Sequence, residues 1–321
     1  MNPPSTMNAM FLTRQAGPDA LVWGEIAQPQ PQAGEVLVRV HAAALTPTEF
    51  EWFPTFHTPT GELRPFPIVP GHELSGVVAA VGEGVTAFRP GSEVYGLNDW
   101  FANGALADFT VAPVSALAPK PTTLTHVQAA VVPISALTAW QALFHRGGLR
   151  RGQRVLIHGA TGGVGVFAVQ LARWAGAEIV ASASAGNLDF ARELGAAQVI
   201  DYRQARFEAI VRGIDLVVDT VGGETLERSR DLLRGDGRIV TVASSSRTSP
   251  DPHVRAKFML VEASGIQLAA IGRLIDEGEL YVPVAAEFPL RDAREAFAFA
   301  ARGGKRGKVA LAVAEVAAPS V

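Results

Sequence analysis

A glycine-rich stretch between residues 154 and 182 constrains the fold of this chain more than any other feature. The apolar run Val155–Ile157 predicts a buried strand. Four glycines within seven residues follow it: Gly159, Gly162, Gly163 and Gly165. Apolar residues then recur at helical spacing from Val166 to Trp174, Gly176 ends this helix, and Ile179 begins a second strand. A strand, glycine turn, helix and second strand in this order are typical of a dinucleotide-binding βαβ unit.

Glycine is needed in such a turn because a pyrophosphate must approach the backbone closely, and a Cβ would hold it away. The free N–H groups and the dipole at the start of the following helix favour the negative charge of the phosphates. An isolated glycine turn also serves as a plain strand-to-helix connection. The flanking strands and helix favour the dinucleotide site over this alternative.

The end of the second strand bears on the choice of cofactor. NAD sites usually place an Asp or Glu here to bind the ribose 2′-hydroxyl, but Val180–Ser184 contains no acid. The small side chains of Ser182 and Ser184 leave space for a 2′-phosphate, so we predict NADP. No cation stands beside them, since Gly186 and Asn187 occupy the positions where one would help. The alternative is that the two serines only cap a helix.

Composition limits the remaining function classes. The chain has 321 residues, 18% of them charged, with a net charge of −3 and no cysteine. We therefore expect no nucleic-acid or membrane partner, no disulfide and no thiolate zinc site. No apolar run reaches transmembrane length, and the first residues lack a charged segment before an apolar core, so we expect a cytoplasmic protein.

Two patterns divide the chain. Up to about residue 125, short apolar runs separated by Pro and Gly turns predict a small β-barrel or sandwich. These runs are Ala9–Leu12, Glu35–Val40, Glu73–Val81, Ser92–Leu97 and Ala107–Val111. From about residue 126, helices and strands alternate, which predicts a doubly wound parallel sheet. The first helices are predicted at Val127–Val132 and Ala136–Phe144, separated at Pro133, and Lys257–Val261 is predicted as an outer strand. Strand character returns after Tyr281, so the domain with the parallel sheet is predicted to be inserted within the N-terminal β domain.

Several short motifs occur in a fixed order along the chain: Val69–Glu73, Gly91–Gly96, Thr138–Trp140 with Leu143, His158–Gly165, Leu194–Ala196, Val199–Tyr202, Asp219–Gly223 and Gly307–Val309. Together they resemble the zinc-independent quinone oxidoreductase branch of the medium-chain dehydrogenase/reductase family. The resemblance implies an α/β fold in which a GroES-like β-barrel domain holds a Rossmann domain between its two parts. In this sequence the first part of the GroES-like domain corresponds to residues 1–125, the Rossmann domain to residues 126–265, and the return to the GroES-like domain to residues 266–321.

The resemblance also implies a function and a set of cofactor-binding residues. The implied reaction is NADPH-dependent reduction of a quinone, or of the activated C=C of an α,β-unsaturated carbonyl, without a metal. The implied NADPH-binding residues are Thr138, Gly159, Thr161, Gly162, Gly163, Val164, Gly165, Ser182, Ser184, Tyr202, Ala243, Ser244, Met259, Leu260 and Lys308. Family members commonly form homodimers through the edges of their Rossmann sheets, and Lys257–Val261 is the candidate edge strand. The charged segment Gly304–Arg306 is predicted to be a solvated turn.

The chain departs from the family pattern in the loop after Val36–Val40. Zinc-dependent relatives have a cysteine there, but Leu45–Glu49 has none, so His72 and Glu73 cannot complete a zinc set. Quinone reductases often carry Asn, Asp and Tyr in this loop. The corresponding residues here are Thr46, Glu49 and either Phe56 or His57. The proton donor is therefore predicted to be Thr46, His57 or water.

An apolar substrate wall is predicted from the aromatic residues near this loop: Trp52, Phe53, Phe56 and Trp100. Such a wall suits flat, hydrophobic quinones or enones, although each ring could instead belong to the core. Two other functions stay open. One is a non-catalytic NADPH-binding sensor or structural protein, and the other is an alcohol dehydrogenase with another metal arrangement.

Overall fold

The computed structural model describes residues 5 to 313 of the chain. Three sheets organise these residues: a mostly antiparallel sheet of seven strands, a parallel sheet of five strands, and a two-stranded antiparallel sheet formed by the first two strands. The strands are β1 (Thr6–Phe11), β2 (Val22–Ala27), β3 (Glu35–Ala44), β4 (Glu73–Val81), β5 (Glu93–Leu97), β6 (Phe109–Pro113), β7 (Leu117–Pro119), β8 (Arg154–His158), β9 (Glu178–Ala183), β10 (Gln198–Asp201), β11 (Ile214–Asp219), β12 (Leu233–Thr241), β13 (Val284–Pro289) and β14 (Lys308–Ala312).

The helices lie mainly in the second half of the chain. They are α1 (Phe53–Phe56), α2 (His126–Ala130), α3 (Pro133–Trp140), α4 (Gly163–Trp174), α5 (Leu188–Glu193), α6 (Phe207–Ile210), α7 (Gly223–Arg228), α8 (Ser244–Arg247), α9 (Pro252–Arg255), α10 (Gly265–Asp276) and α11 (Ala293–Ala300). A π-helical segment, Gln141–Arg146, continues α3. Among residues 5–313, no helix has both the length and the apolarity needed to span a membrane.

The first sheet has seven strands in the order β13-β14-β3-β4-β5-β7, with β6 also paired to β3. Val36, Val38 and Val40 of β3 are buried in one hydrophobic core with residues of β1, β4 and α11. The strands β3 and β4 approach closely at Gly76, where a Cβ would lie 2.1 Å from the Arg39 carbonyl oxygen. Because β14 pairs with β3, the C-terminal part of the chain returns to the sheet built by the N-terminal part.

The second sheet is fully parallel, with the order β10-β9-β8-β11-β12. Every residue of β11 is buried, as expected for a central strand that helices cover on both faces. The predicted α/β fold class, with a GroES-like barrel and a Rossmann sheet, is therefore confirmed. The boundaries at residues 125 and 265 stay a prediction.

Two details of the predicted sheet domain were wrong. Lys257–Val261 forms no strand and makes a single parallel bridge, Phe258 to Thr241. The reason is that β12 ends at Thr241, so the segment has almost no partner strand beside it. The helices near Pro133 are also shifted, because this proline begins α3, where its missing N–H leaves no hydrogen bond unmade.

Tyr95 joins the barrel sheet to α10. Its side chain is fully buried, and its hydroxyl donates to the Leu268 carbonyl oxygen at 2.6 Å. Burial raises the pKa of Tyr95, so the phenol stays neutral and keeps its proton for this bond. The contact is close, since a Cβ on Gly272 would lie 3.1 Å from the Tyr95 hydroxyl.

Replacing Tyr95 with phenylalanine removes this hydrogen bond and keeps the ring. We expect the free energy of unfolding to fall by about 1 kcal/mol, measured by urea denaturation. Tyr281→Phe is the matched control, because Tyr281 is 61% exposed. Equal stability of Tyr95→Phe and the control would contradict the prediction.

Candidate functional site

A cleft of about 600 Å³ runs across the carboxyl ends of β8, β9 and β11 and is closed on the other side by barrel residues. Ligands of doubly wound sheets bind at this edge. Ten of the predicted site residues line the cleft: Thr46, Gly159, Thr161, Gly162, Gly163, Val164, Ser182, Ser184, Tyr202 and Lys308.

The glycine turn presents unpartnered backbone donors to this cleft. Gly162 is the N-cap of α4 and has no side chain to accept from the first N–H groups of the helix. Gly165 lies beneath the turn, where a Cβ would be 2.1 Å from the Gly159 carbonyl oxygen. Gly159 has a φ of 69°, a conformation that favours glycine. The cradle fits a pyrophosphate in shape and in charge.

The C-terminal return of the chain docks on this turn. The Gly307 N–H donates to the Thr161 carbonyl oxygen at 3.1 Å, and Gly307 forms a parallel bridge with Gly162. The next residue, Lys308, lays its aliphatic stem over Gly163, where a Cβ would lie 3.0 Å from Lys308 Cγ. A residue at the start of β14 therefore forms part of a site built mainly by α4.

Ser182 and Ser184 differ in what they can donate. Ser229 donates its hydroxyl proton to the Thr225 carbonyl oxygen at 2.6 Å, so it accepts from His158 Nε2, 2.9 Å away. Burial lowers the pKa of His158 to about 4, so the ring is neutral and Nδ1 accepts from the Ser182 hydroxyl at 2.9 Å. The Ser182 proton is thus used inside the protein. Of the two serines, Ser184 is therefore the one whose hydroxyl remains free to donate to a ligand in the cleft.

A cation from the loop before β14 lines the cleft together with Ser184. Asn187 Nδ2 donates to the Gly304 carbonyl oxygen at 3.1 Å, and Arg306 Nε donates to Asn187 Oδ1 at 3.0 Å. These bonds bring Lys305 into the cleft lining, with Ser184. Partial burial lowers the pKa of Lys305. Gly304 and Arg306 are exposed, as the prediction of a solvated turn expects, but the prediction did not include the position of Lys305 in the cleft lining, because no local signal connects positions more than a hundred residues apart.

Buried charged groups surround the other end of the cleft. Lys308 Nζ contacts a Glu73 carboxylate oxygen and donates to Thr46 Oγ1 at 3.1 Å. The second Glu73 oxygen accepts from the Ile134 N–H at 3.0 Å. Burial lowers the pKa of Lys308 to about 7, and the nearby Glu49 carboxyl opposes this shift.

Glu49 and His72 form a buried pair behind Thr46. Glu49 Oε1 accepts from the Gly71 N–H at 2.6 Å and lies 3.6 Å from His72 Nε2. Burial raises the pKa of Glu49. His72 Nδ1 lies 2.9 Å from Asn98 Oδ1. Within the described part of the chain, no three His, Cys, Asp or Glu side chains are placed to hold a metal ion. The expectation of a metal-free site stays a prediction.

Six residues predicted to bind the cofactor do not line the cleft: Thr138, Gly165, Ala243, Ser244, Met259 and Leu260. Thr138 lies within α3 and donates to the Ile134 carbonyl oxygen at 2.6 Å. Ala243 and Met259 are buried beyond the end of β12, the edge strand, whereas the cleft reaches only as far as the residues after β11. Their cofactor roles stay predictions.

The predicted substrate residues separate into three groups. Phe56 is 5% exposed and belongs to the barrel core, because α1 turns it inward, so its place does not support a role in the substrate wall. His57 stacks on Phe53, with ring centroids 4.7 Å apart, and neither lines the cleft. Trp52 and Trp100 meet edge to face at 5.6 Å, and both rings lie close to His72, but neither residue lines the cleft. None of the four predicted aromatic residues lines the cleft, so their substrate roles stay predictions.

Comparison with known proteins agrees with this architecture. Residues 32–122 match the family model of the alcohol dehydrogenase GroES-like domain, and residues 194–311 match that of the zinc-binding dehydrogenases. The human mitochondrial NAD(P)H oxidoreductase RTN4IP1 is 32% identical over 87% of this chain and 82% of its own length. The chain therefore belongs to the medium-chain dehydrogenase/reductase family, and it is an oxidoreductase of the quinone oxidoreductase-like group.

Two solved structures are similar over almost the whole chain. The quinone oxidoreductase from Coxiella burnetii has a TM-score of 0.88 and 28% identity, and covers 97% of this chain and 100% of its own. Mycobacterial Rv1454c complexed with NADPH has a TM-score of 0.82 and 28% identity, and covers 96% of this chain and 100% of its own.

The prediction of a cytoplasmic location is contradicted, because the human relative is named as mitochondrial.

Replacing Gly162 with alanine is expected to separate folding from cofactor binding. A Cβ there would meet only the Gly159 carbonyl oxygen, at 3.5 Å, so the thermal midpoint should stay near that of the wild type. The methyl group would take up space that the pyrophosphate needs, so we expect the NADPH dissociation constant to rise about tenfold or more, measured by fluorescence titration.

Gly165→Ala is the comparison variant, since its Cβ would overlap backbone and should lower the thermal midpoint. Unchanged NADPH affinity in a folded Gly162→Ala protein would show that the turn does not hold the pyrophosphate.

Proposed function

We propose that the protein is an NADPH-dependent reductase that transfers a hydride to a quinone, or to the activated C=C of an α,β-unsaturated carbonyl, without a metal. The observation that carries the proposal is the continuity of the cleft. It joins an anion cradle at the glycine turn to a hydroxyl and an ammonium group, Thr46 and Lys308, at the barrel end. The quinone oxidoreductase and the NADPH complex among the similar structures support it.

The distribution of residues along the cleft supports one orientation of the cofactor. The N–H groups at the start of α4 would bind the pyrophosphate, and Ser184, Tyr202 and Lys305 would lie beside the adenosine end. The nicotinamide would then lie toward Thr46. When bound, NADPH supplies a hydride from its nicotinamide ring.

The protein's work at the barrel end is to position the acceptor and to stabilise charge on its oxygen. The cleft wall there includes the apolar side chains of Leu45, Pro47 and Ile134, which suit a flat hydrophobic ring. A hydrogen-bond donor aimed at the carbonyl oxygen would stabilise the negative charge that develops after hydride addition. Thr46 and Ser135 are the hydroxyl residues in this part of the cleft lining, and Ser135 Oγ lies over the glycine turn at Gly163, so Thr46 is the donor that we assign to the acceptor.

The donor set at the barrel end supports chemistry without a metal. The loop Leu45–Glu49, in which zinc-dependent relatives have a cysteine, has none here. Both nitrogens of the His72 ring face protein partners, Asn98 and Glu49, and the Lys308 ammonium group lies close by. We expect NADPH oxidation to be unaffected by chelators and the purified protein to contain no stoichiometric zinc by elemental analysis. Loss of activity on chelation, restored by zinc, would favour the alcohol dehydrogenase alternative.

The central experiment follows NADPH absorbance after mixing with 9,10-phenanthrenequinone or, separately, cyclohexenone, with NADH as the control cofactor. We expect oxidation with at least one acceptor and a preference for NADPH. Tight NADPH binding without turnover of either acceptor would instead support a non-catalytic NADPH-binding protein.

Lys305 is expected to contribute to the preference for NADPH over NADH. Lys305→Ala removes the cation that lies with Ser184 in the cleft lining, so the NADPH dissociation constant should rise about tenfold, while that of NADH stays unchanged. Arg302→Ala is the matched control, because Arg302 is an exposed cation of the same loop that does not line the cleft. Equal losses for NADPH and NADH would remove Lys305 from the specificity argument.

A homodimer is also proposed. Leu260, which follows the bridge between Phe258 and Thr241 at the end of β12, is 57% exposed and would be covered by a second copy at this edge of the sheet. Multi-angle light scattering tests this, and a monomer at micromolar concentration would contradict it.

A further inference from the structure

The hydrogen bond between Lys308 and Thr46 leaves a proton available to the cleft. An ammonium group only donates, so Thr46 Oγ1 is the acceptor in this 3.1 Å contact. The Thr46 hydroxyl proton is therefore not used toward Lys308. Thr46 and Lys308 both line the cleft, at the end opposite Ser184 and Tyr202.

Lys308 is placed to return a proton to the Thr46 hydroxyl group after Thr46 has donated its own. Its side chain is only 10% exposed, and its ammonium group contacts Glu73 of β4, which is completely buried. The other charged group close enough to act on it is Glu49, behind which lie His72 and Arg64. Burial lowers the pKa of Lys308 to about 7, so the group can give up and regain a proton near neutral pH.

We propose that Thr46 donates the proton to the substrate oxygen and that Lys308 replaces the proton on Thr46. This assignment rests on the proposed function. It removes His57 from the proton-donor candidates, because His57 stacks on Phe53 outside the cleft lining.

The step balances for an enone. Hydride adds to the β-carbon, the C=C π electrons shift toward the carbonyl, and the electron pair of the C=O π bond goes to oxygen. The oxygen forms a bond to the Thr46 hydroxyl proton, and the Thr46 oxygen takes a proton from Lys308 Nζ. Lys308 is left as a neutral amine and regains its proton from solvent. The enol that forms tautomerises to the saturated ketone, so the enone gains one hydride and one proton.

The test compares hydroxyl variants in the full-length protein with NADPH and cyclohexenone or phenanthrenequinone, whichever acceptor the wild type reduces faster. We expect Thr46→Val to lower kcat about a hundredfold, with the NADPH dissociation constant by fluorescence within about twofold of wild type. Thr46→Ser keeps the hydroxyl and should restore kcat to within about threefold. Thr48→Val is the matched control, since Thr48 lies in the same loop but not in the cleft lining, and it should behave as wild type.

The pH profile tests Lys308 separately. Only the protonated amine of Lys308 can reprotonate Thr46, so kcat of the wild type should fall as pH rises above about 7. Lys308→Arg keeps the charge but cannot release a proton in this range, so its kcat should be lower than that of the wild type and should show no such fall up to about pH 9. A Lys308 that only balances phosphate charge would change NADPH affinity without changing the profile.

The proposal is overturned if Thr46→Val matches Thr48→Val, or if the wild-type kcat does not change between about pH 6 and pH 9. Both results leave the reductase function intact, because the wild type still oxidises NADPH. Absence of turnover in the wild type with either acceptor, by contrast, overturns the proposed function and this assignment together.

Discussion

The site depends on the docking of the C-terminal return on the glycine turn. One backbone hydrogen bond, from the Gly307 N–H to the Thr161 carbonyl oxygen, marks this contact. The contact requires a strand that leaves the parallel sheet domain, rejoins the barrel beside β3 and begins at the edge of the cofactor cradle. Through it, two lysines enter the cleft. Lys305 lies toward the adenosine end and Lys308 toward the barrel end.

The second lysine brings a buried charge, and the surrounding structure compensates for it. An ammonium group with so little exposure would be costly without a partner, and Glu73 supplies one from β4. The remaining Glu73 oxygen is satisfied by the first turn of α3. Three separate elements therefore hold Lys308 Nζ beside Thr46. Replacing either partner by an apolar residue would leave the other charge buried and unpaired, which is more costly than losing the pair.

The polar network that begins at His158, the last residue of β8, contains no charged group, unlike the buried pair of Lys308 and Glu73. His158, Ser182, Ser229 and the Thr225 carbonyl form a chain in which the direction of each hydrogen bond is fixed by the last acceptor. This hydrogen-bond network fixes the position of His158, the residue directly before the glycine turn. It also decides which serine is available to a ligand, a distinction that residue types alone do not make.

The sequence by itself determined the fold class and the cofactor cradle, because these depend on local patterns. Buried strands, helical periodicity and closely spaced glycines are read within about thirty residues, and the motifs of the family keep their order along the chain. The tertiary structure decided what depends on distant contacts. It separated Ser184 from Ser182, placed Phe56 in the core, ended the sheet at β12, and brought Lys305 and Lys308 to the cleft. The contacts that bring the two lysines to the cleft join residues more than a hundred positions apart, and no local sequence pattern predicts them, because they form only when β14 pairs with β3 and the loop before it docks on the glycine turn.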